Sequence, residues 1–142
     1  VKVLLTFIAV FICSTVVATG TATAGMGIPN PHKKKIQTQR MYACNHRPAH
    51  WTKAELECVV RIGFGSQAGN AMRIVSCESV WNPYAVSRTS DYGLFQINRT
   101  YNSEGWRLGA NIFDPVWNTR IAYYFYKTRG WSDWTCARIV GV

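Results

Sequence analysis

Two carboxylates in the 142-residue chain, Glu78 and Asp91, are the candidates for acid–base chemistry. Glu78 follows Cys77 near the end of a helical pattern over about 67–79, where Ala71, Ile74 and Val75 fall on or beside one face before Asn82-Pro83 ends it. A negative charge in a last turn opposes the helix macrodipole, and the apolar neighbours Val75 and Trp81 would partly desolvate it. Both effects raise a carboxyl pKa, the condition for donating a proton near neutral pH. Asp91 opens Asp91-Tyr92-Gly93 and reads two ways, as a second acid or as a turn residue that accepts backbone hydrogens.

The elements that position these groups are mainly helical. Thr52-Lys53-Ala54-Glu55 has capping-box spacing, and Leu56, Val59, Val60 and Gly63 follow at helical intervals up to the glycines at 63 and 65. Asp114-Pro115 reads as an N-cap followed by an N1 proline. Trp117, Ile121, Tyr124, Phe125 and Thr128 then recur until Lys127, Arg129 and Gly130 supply a terminus. There is no internal repeat and no alternating run long enough for a large sheet. At 48% hydrophobic, the chain supports one small domain with a core, which excludes intrinsic disorder.

Residues 1–24 have the order of a secretory signal peptide: a cation at Lys2, an apolar run from Val3 to Val17, then small residues up to Ala24. The run is shorter than the roughly 20 residues of a membrane span. Cys13 leaves with it. Cys44, Cys58, Cys77 and Cys136 remain, an even number that points to two disulfides in an oxidising compartment. Three pairings are open; Cys44 with Cys58 and Cys77 with Cys136 is favoured, one closing a local loop and the other tying distant segments. No C-x-x-C pair is present, and His32, His46 and His50 lack zinc-ligand spacing, so no metal is implied. Residues 25–41, rich in Gly, Pro and cations, read as a flexible basic arm, with the domain spanning 42–142.

The stretch Cys77-Glu78-Ser79, Asn82-Pro83-Tyr84-Ala85 and Gly93-Leu94-Phe95-Gln96 resembles the catalytic region of the soluble lytic transglycosylase and goose-type lysozyme superfamily. The later IFDPVWNTRIAYYFYKTRGWSDW is similar to the endings of small secreted members. Cys77 and Cys136 flank the motifs much as in resuscitation-promoting factors. The resemblance covers roughly Trp51 to Cys136. It implies an α+β lysozyme-like fold with a glycan-binding cleft, and cleavage of the β-1,4 bond between N-acetylmuramic acid and N-acetylglucosamine in peptidoglycan. By the same resemblance Glu78 is the general acid, Ser87 contacts the glutamate or the sugar, and Gly93 lets the backbone approach the glycan. Gln96 and Asn98 supply amide contacts, while Tyr92, Phe95, Trp131 and Trp134 are candidates to pack sugar faces. Val80 stands where the family commonly has glycine, and the Ala-Tyr-Asn-x-Gly motif of large members is absent.

Two mechanisms divide on Asp91. A lytic transglycosylase needs one carboxyl, which protonates the bond and then acts as base while the muramic acid 6-hydroxyl closes a 1,6-anhydro ring. A hydrolase needs a second carboxylate about 5 to 5.5 Å away for retention, or about 6.5 to 9.5 Å for inversion. The overall motif match favours the transglycosylase, with no organic cofactor. The other class of function is a non-catalytic cationic wall binder or antimicrobial protein, since the net charge is +9. Lys2 and the arm residues Lys33, Lys34, Lys35 and Arg40 hold five of the 16 cations, so the domain keeps 11 against 7 acids, a net of +4. The expected partners are peptidoglycan strands and anionic cell-wall polymers, not nucleic acid, met by a secreted monomer.

Overall fold

The computed structural model describes residues 31–45, 50–99 and 111–142. Within them lie α1 (Pro31–Tyr42), α2 (Lys53–Phe64), a 3-10 turn (Gly65–Gln67), α3 (Ala68–Glu78), β1 (Asp91–Tyr92), β2 (Ile97–Asn98), α4 (Pro115–Arg129) and α5 (Thr135–Val140). The segment read as a signal peptide, Cys13 and the first part of the expected arm lie outside the described residues. No helix among the described residues is long and apolar enough to cross a membrane.

Local signals set the helix ends. The Thr52 hydroxyl accepts from the Glu55 N–H at 3.3 Å, and the Glu55 carboxylate accepts from the Thr52 N–H at 2.8 Å, which closes the capping box of α2. Asp114 Oδ1 accepts from the N–H groups of Val116 and Trp117 and so caps α4, and Gly130 (φ 66°) ends it. The helices pack around α2, which contacts α1, α3 and α4, while α5 lies on α3. At Gly63 α2 and α4 approach closely, since a Cβ there would stand 2.6 Å from Thr119 Cγ2. The disulfides join Cys44 to Cys58 and Cys77 to Cys136.

The flexible-arm reading of 25–41 requires correction, because from Pro31 onward the segment is helix α1. Three ties hold it. Met41 is fully buried against Val59 and Val116. The Gln37 amide donates to the carbonyls of Ile62 and Gly63 at 2.9 and 3.2 Å, satisfying last-turn acceptors of α2 that have no partner within their own helix. The Tyr42 hydroxyl donates to Asp114 at 3.0 Å; burial, followed by the Asp114 charge, pushes the phenol pKa up to about 12. No apolar periodicity announces α1 because, among its described side chains, only Met41 enters the core deeply.

The buried face of α4 also differs from the expected stripe. Val116, Ile121, Ala122 and Phe125 point inward together with the polar Asn118 and Thr119, whereas Tyr124 is exposed. Asn118 earns its burial by what it holds. β1 and β2 pair antiparallel, Asp91 opposite Asn98 and Tyr92 opposite Ile97, joined by the turn Gly93-Leu94-Phe95-Gln96. Leu94 and Phe95 at its tip are fully buried, so the turn points into the core. Asn118 Oδ1 accepts from the Phe95 N–H at 2.7 Å, and its Nδ2 donates to the carbonyls of Tyr92 (3.0 Å) and Ile112 (2.9 Å). Trp134 Nε1 donates to the Phe95 carbonyl at 2.8 Å. Replacing Asn118 by Ala strands these three backbone groups, and we expect a loss of about 3 kcal/mol or more in urea unfolding, a large share of a small domain's stability.

Candidate active site

Glu78 is the last residue of α3, and the Cys77–Cys136 bridge pins the preceding residue to α5. Its carboxylate accepts from the Cys136 N–H at 3.2 Å. Half-burial pushes the Glu78 carboxyl above its ordinary value; the Cys136 N–H pulls it partly back, and the negative charge of Asp91 adds to the rise.

Asp91 is placed at the open end of the hairpin and accepts from three side-chain donors. The hydroxyls of Ser87 and Thr89 donate to Oδ2, and Asn98 Nδ2 donates to Oδ1 at 2.6 Å. Burial pushes its carboxyl upward, but the Ser87, Thr89 and Asn98 bonds outweigh burial and hold it below the ordinary aspartate value. The loop beneath is closed by the Ser87 hydroxyl, which accepts from the N–H groups of Thr89 and Asp91 at 3.1 and 3.0 Å. Two carboxylates that feel one another are thus driven apart in acidity, one toward the protonated and one toward the ionised form.

The remaining candidates separate. Ser87 and Asn98 are bound to Asp91 rather than to Glu78, and Asn98 also donates to the Thr89 carbonyl at 2.8 Å. Gln96 donates to the carbonyls of Gly93 (2.8 Å) and Ala85 (3.2 Å), bracing the turn from within. Gly93 is needed for an internal approach, not a ligand's: its φ is +74°, and a Cβ would strike the Asn118 amide and lie 2.7 Å from the Ile112 carbonyl. Phe95 is fully buried and stacked on Phe64 at 5.2 Å, and Trp134 is 5% exposed, so neither offers a face to a sugar. Trp131 is half-buried, its ring 4.3 Å from Tyr126 and stacked 5.4 Å from Phe64.

Tyr92, a sequence candidate, stands in an aromatic row with Tyr84 and Phe113, which sequence reasoning missed; Phe113 is 6.5 Å from Tyr84 and edge-on to Tyr92 at 5.9 Å. Tyr84 is 58% exposed, and it occupies the variable position of Asn-Pro-x-Ala, where the motif itself draws no attention to it. Thr89 was missed too; its signal is the polar run leading into Asp91. Among the described residues, no group of three His, Cys, Asp or Glu side chains is arranged to hold a metal ion.

Residues 63–130 match the family model of the transglycosylase SLT domain, a span that runs from the end of α2 to the end of α4 and contains Glu78, Asp91 and the buried hairpin turn. The match is consistent with membership of the SLT and lysozyme-like superfamily. That family is one of peptidoglycan lytic transglycosylases. No curated protein and no solved structure gives a significant match. The matched span of the SLT domain stops short of α5, which supplies the N–H on Glu78, and excludes α1.

Val80, directly after Glu78 and Ser79, takes a φ of +51° and is 80% exposed. A β-branched residue is strained in that region. Val80→Gly should therefore raise stability by up to about 1 kcal/mol, less the entropy glycine loses on folding, as read by chemical unfolding. Glu78→Gln should also stabilise. A carboxyl whose folded pKa is raised costs stability once pH climbs through its unfolded value, so the Gln advantage should be present at pH 7 and vanish below the ordinary value of 4.5. Asp91 has the opposite sign: its donors stabilise the fold above the ordinary value of 3.8, and that contribution is lost in acid. Melting temperatures across pH 3 to 8 test both signs.

Proposed function

We propose that the protein is a secreted lytic transglycosylase that cleaves the β-1,4 bond between N-acetylmuramic acid and N-acetylglucosamine, with Glu78 as the single acid and base. The observation that carries this reading is the setting of Glu78. A glycosidic oxygen leaves poorly until protonated, and Glu78 is a half-buried carboxyl held above its ordinary acidity, at the end of a helix within the SLT domain. Once the proton has gone to the leaving oxygen, the carboxylate is ready to accept the proton of the muramic acid 6-hydroxyl as the anhydro ring closes. The Cys136 N–H steadies the charged form in that second half of the reaction. Residues 1–24 serve as the export signal, consistent with two disulfides.

Asp91 supports the one-carboxylate mechanism through its bonding. Two hydroxyls and an amide already bond to it, which lowers its power as a nucleophile or base. A second reading rests on its charge: an ionised Asp91 that Glu78 senses electrostatically would stabilise an oxocarbenium-like transition state in a lysozyme-type hydrolase. Tyr92, with Tyr84 and Phe113, is the platform we assign to a sugar face.

Mass spectrometry of digested peptidoglycan decides between these readings. Anhydro-muramyl ends are expected, and reducing ends would transfer the assignment to hydrolysis. Glu78→Gln should lower turnover by at least about 100-fold while leaving wall adsorption intact. If the variant cleaved as fast as the parent, Glu78 would not be the acid.

A further inference from the structure

α1 and α2 enclose a groove of about 570 Å³ lined by Lys33, Ile36, Gln37, Arg40, Arg61 and Ile62. Lys33, Ile36, Gln37 and Arg40 follow one helical stripe, so the groove runs along α1 for two turns, roughly 10 Å. Three cations line it and no acid does. Lys33, Arg40 and Arg61 are solvent-exposed, whereas Gln37 is engaged with the end of α2 and fixes the spacing of the two helices. Ile36, 56% exposed, and the half-buried Ile62 give the lining an apolar strip between the charges. The groove is built from α1 and α2, while Glu78 and Asp91 stand on α3 and β1.

The geometry points to a second binding site in this groove, for a flexible phosphodiester polymer of the cell wall. Guanidinium forks suit phosphate oxygens, and the isoleucine strip suits the methylene carbons between successive phosphates. A bilayer is a poorer occupant. A helix that seats in lipid presents a broad apolar face, whereas Ile36 is the one aliphatic side chain that α1 exposes among the described residues, and the surface is concave. The site would hold the enzyme within the polymer meshwork while the reaction centre remains open to glycan. The inference takes the wall as the protein's setting from the proposed function, but binding in the groove is independent of Glu78.

The test uses the full mature chain and poly(glycerol phosphate) of defined length, with binding followed by fluorescence anisotropy at 50 mM salt. Lys33→Gln/Arg40→Gln/Arg61→Gln should weaken binding about tenfold or more. A charge-matched control at exposed cations elsewhere, Arg73→Gln/Lys127→Gln/Arg138→Gln, should weaken it by less than about threefold. Equal losses in the two variants would overturn the site by showing that net charge alone is responsible. Tighter binding to phosphatidylglycerol vesicles than to the polymer would overturn it in favour of lipid. Glu78→Gln should bind the polymer like the parent. Parent that cleaves peptidoglycan but ignores the polymer would sink the groove and leave the proposed reaction standing.

Discussion

A β-turn driven tip-first into a hydrophobic core is the constraint on which the rest of this structure depends. Backbone groups at Tyr92, Gly93 and Phe95 leave water when Leu94 and Phe95 are buried, and each must find a partner. Asn118, Trp134 and Gln96 provide them. The consequences spread outward. Gly93 has to lack a side chain because Asn118 occupies that space; α4 has to carry a polar residue on its buried face. Trp134 has to face inward, which delivers the following turn, α5 and the Cys136 N–H to the end of α3. Residues that look like ligand contacts in a motif, Gly93 and Gln96 above all, are here parts of a device that holds the hairpin in place.

With the hairpin held, its open end becomes a rigid mount for Asp91. The carboxylate is bonded on one oxygen by Asn98 across the ladder and on the other by hydroxyls of the preceding loop, so its position and its ionised state come from the same contacts. Glu78 is treated in the opposite manner, half-buried and given one backbone donor. The contrast pushes the acidities of two chemically similar groups in opposite directions. The strained Val80 just beyond Glu78 is a local cost of the same region, at a position the core does not require.

Outside this centre, α1 shows how a segment of low apolar content can still be ordered. One buried methionine, a side-chain amide on the exposed acceptors of a neighbouring helix, a phenol on the cap of another, and a disulfide just beyond its end take the place of an apolar face. The arrangement leaves most cations of α1 in solvent and lines them along α2, so charge that reads in the sequence as a diffuse tail becomes a shaped surface.

The parts legible in the sequence are those with short-range causes. The capping box at Thr52, the Asp114-Pro115 start, the glycine at 130 and the placement of Glu78 in a last turn follow from interactions spanning a few residues, and the structure has them where the sequence puts them. The even cysteine count implied two bridges. Only the tertiary structure decided which of Gly93, Phe95, Gln96 and Trp134 face the core, that Asn118 is their common partner, and that Tyr84 and Phe113 stand with Tyr92. Burial of a turn depends on groups brought together from distant points of the chain. A motif records that its residues are required, but their partners determine whether the requirement is for ligand or for fold.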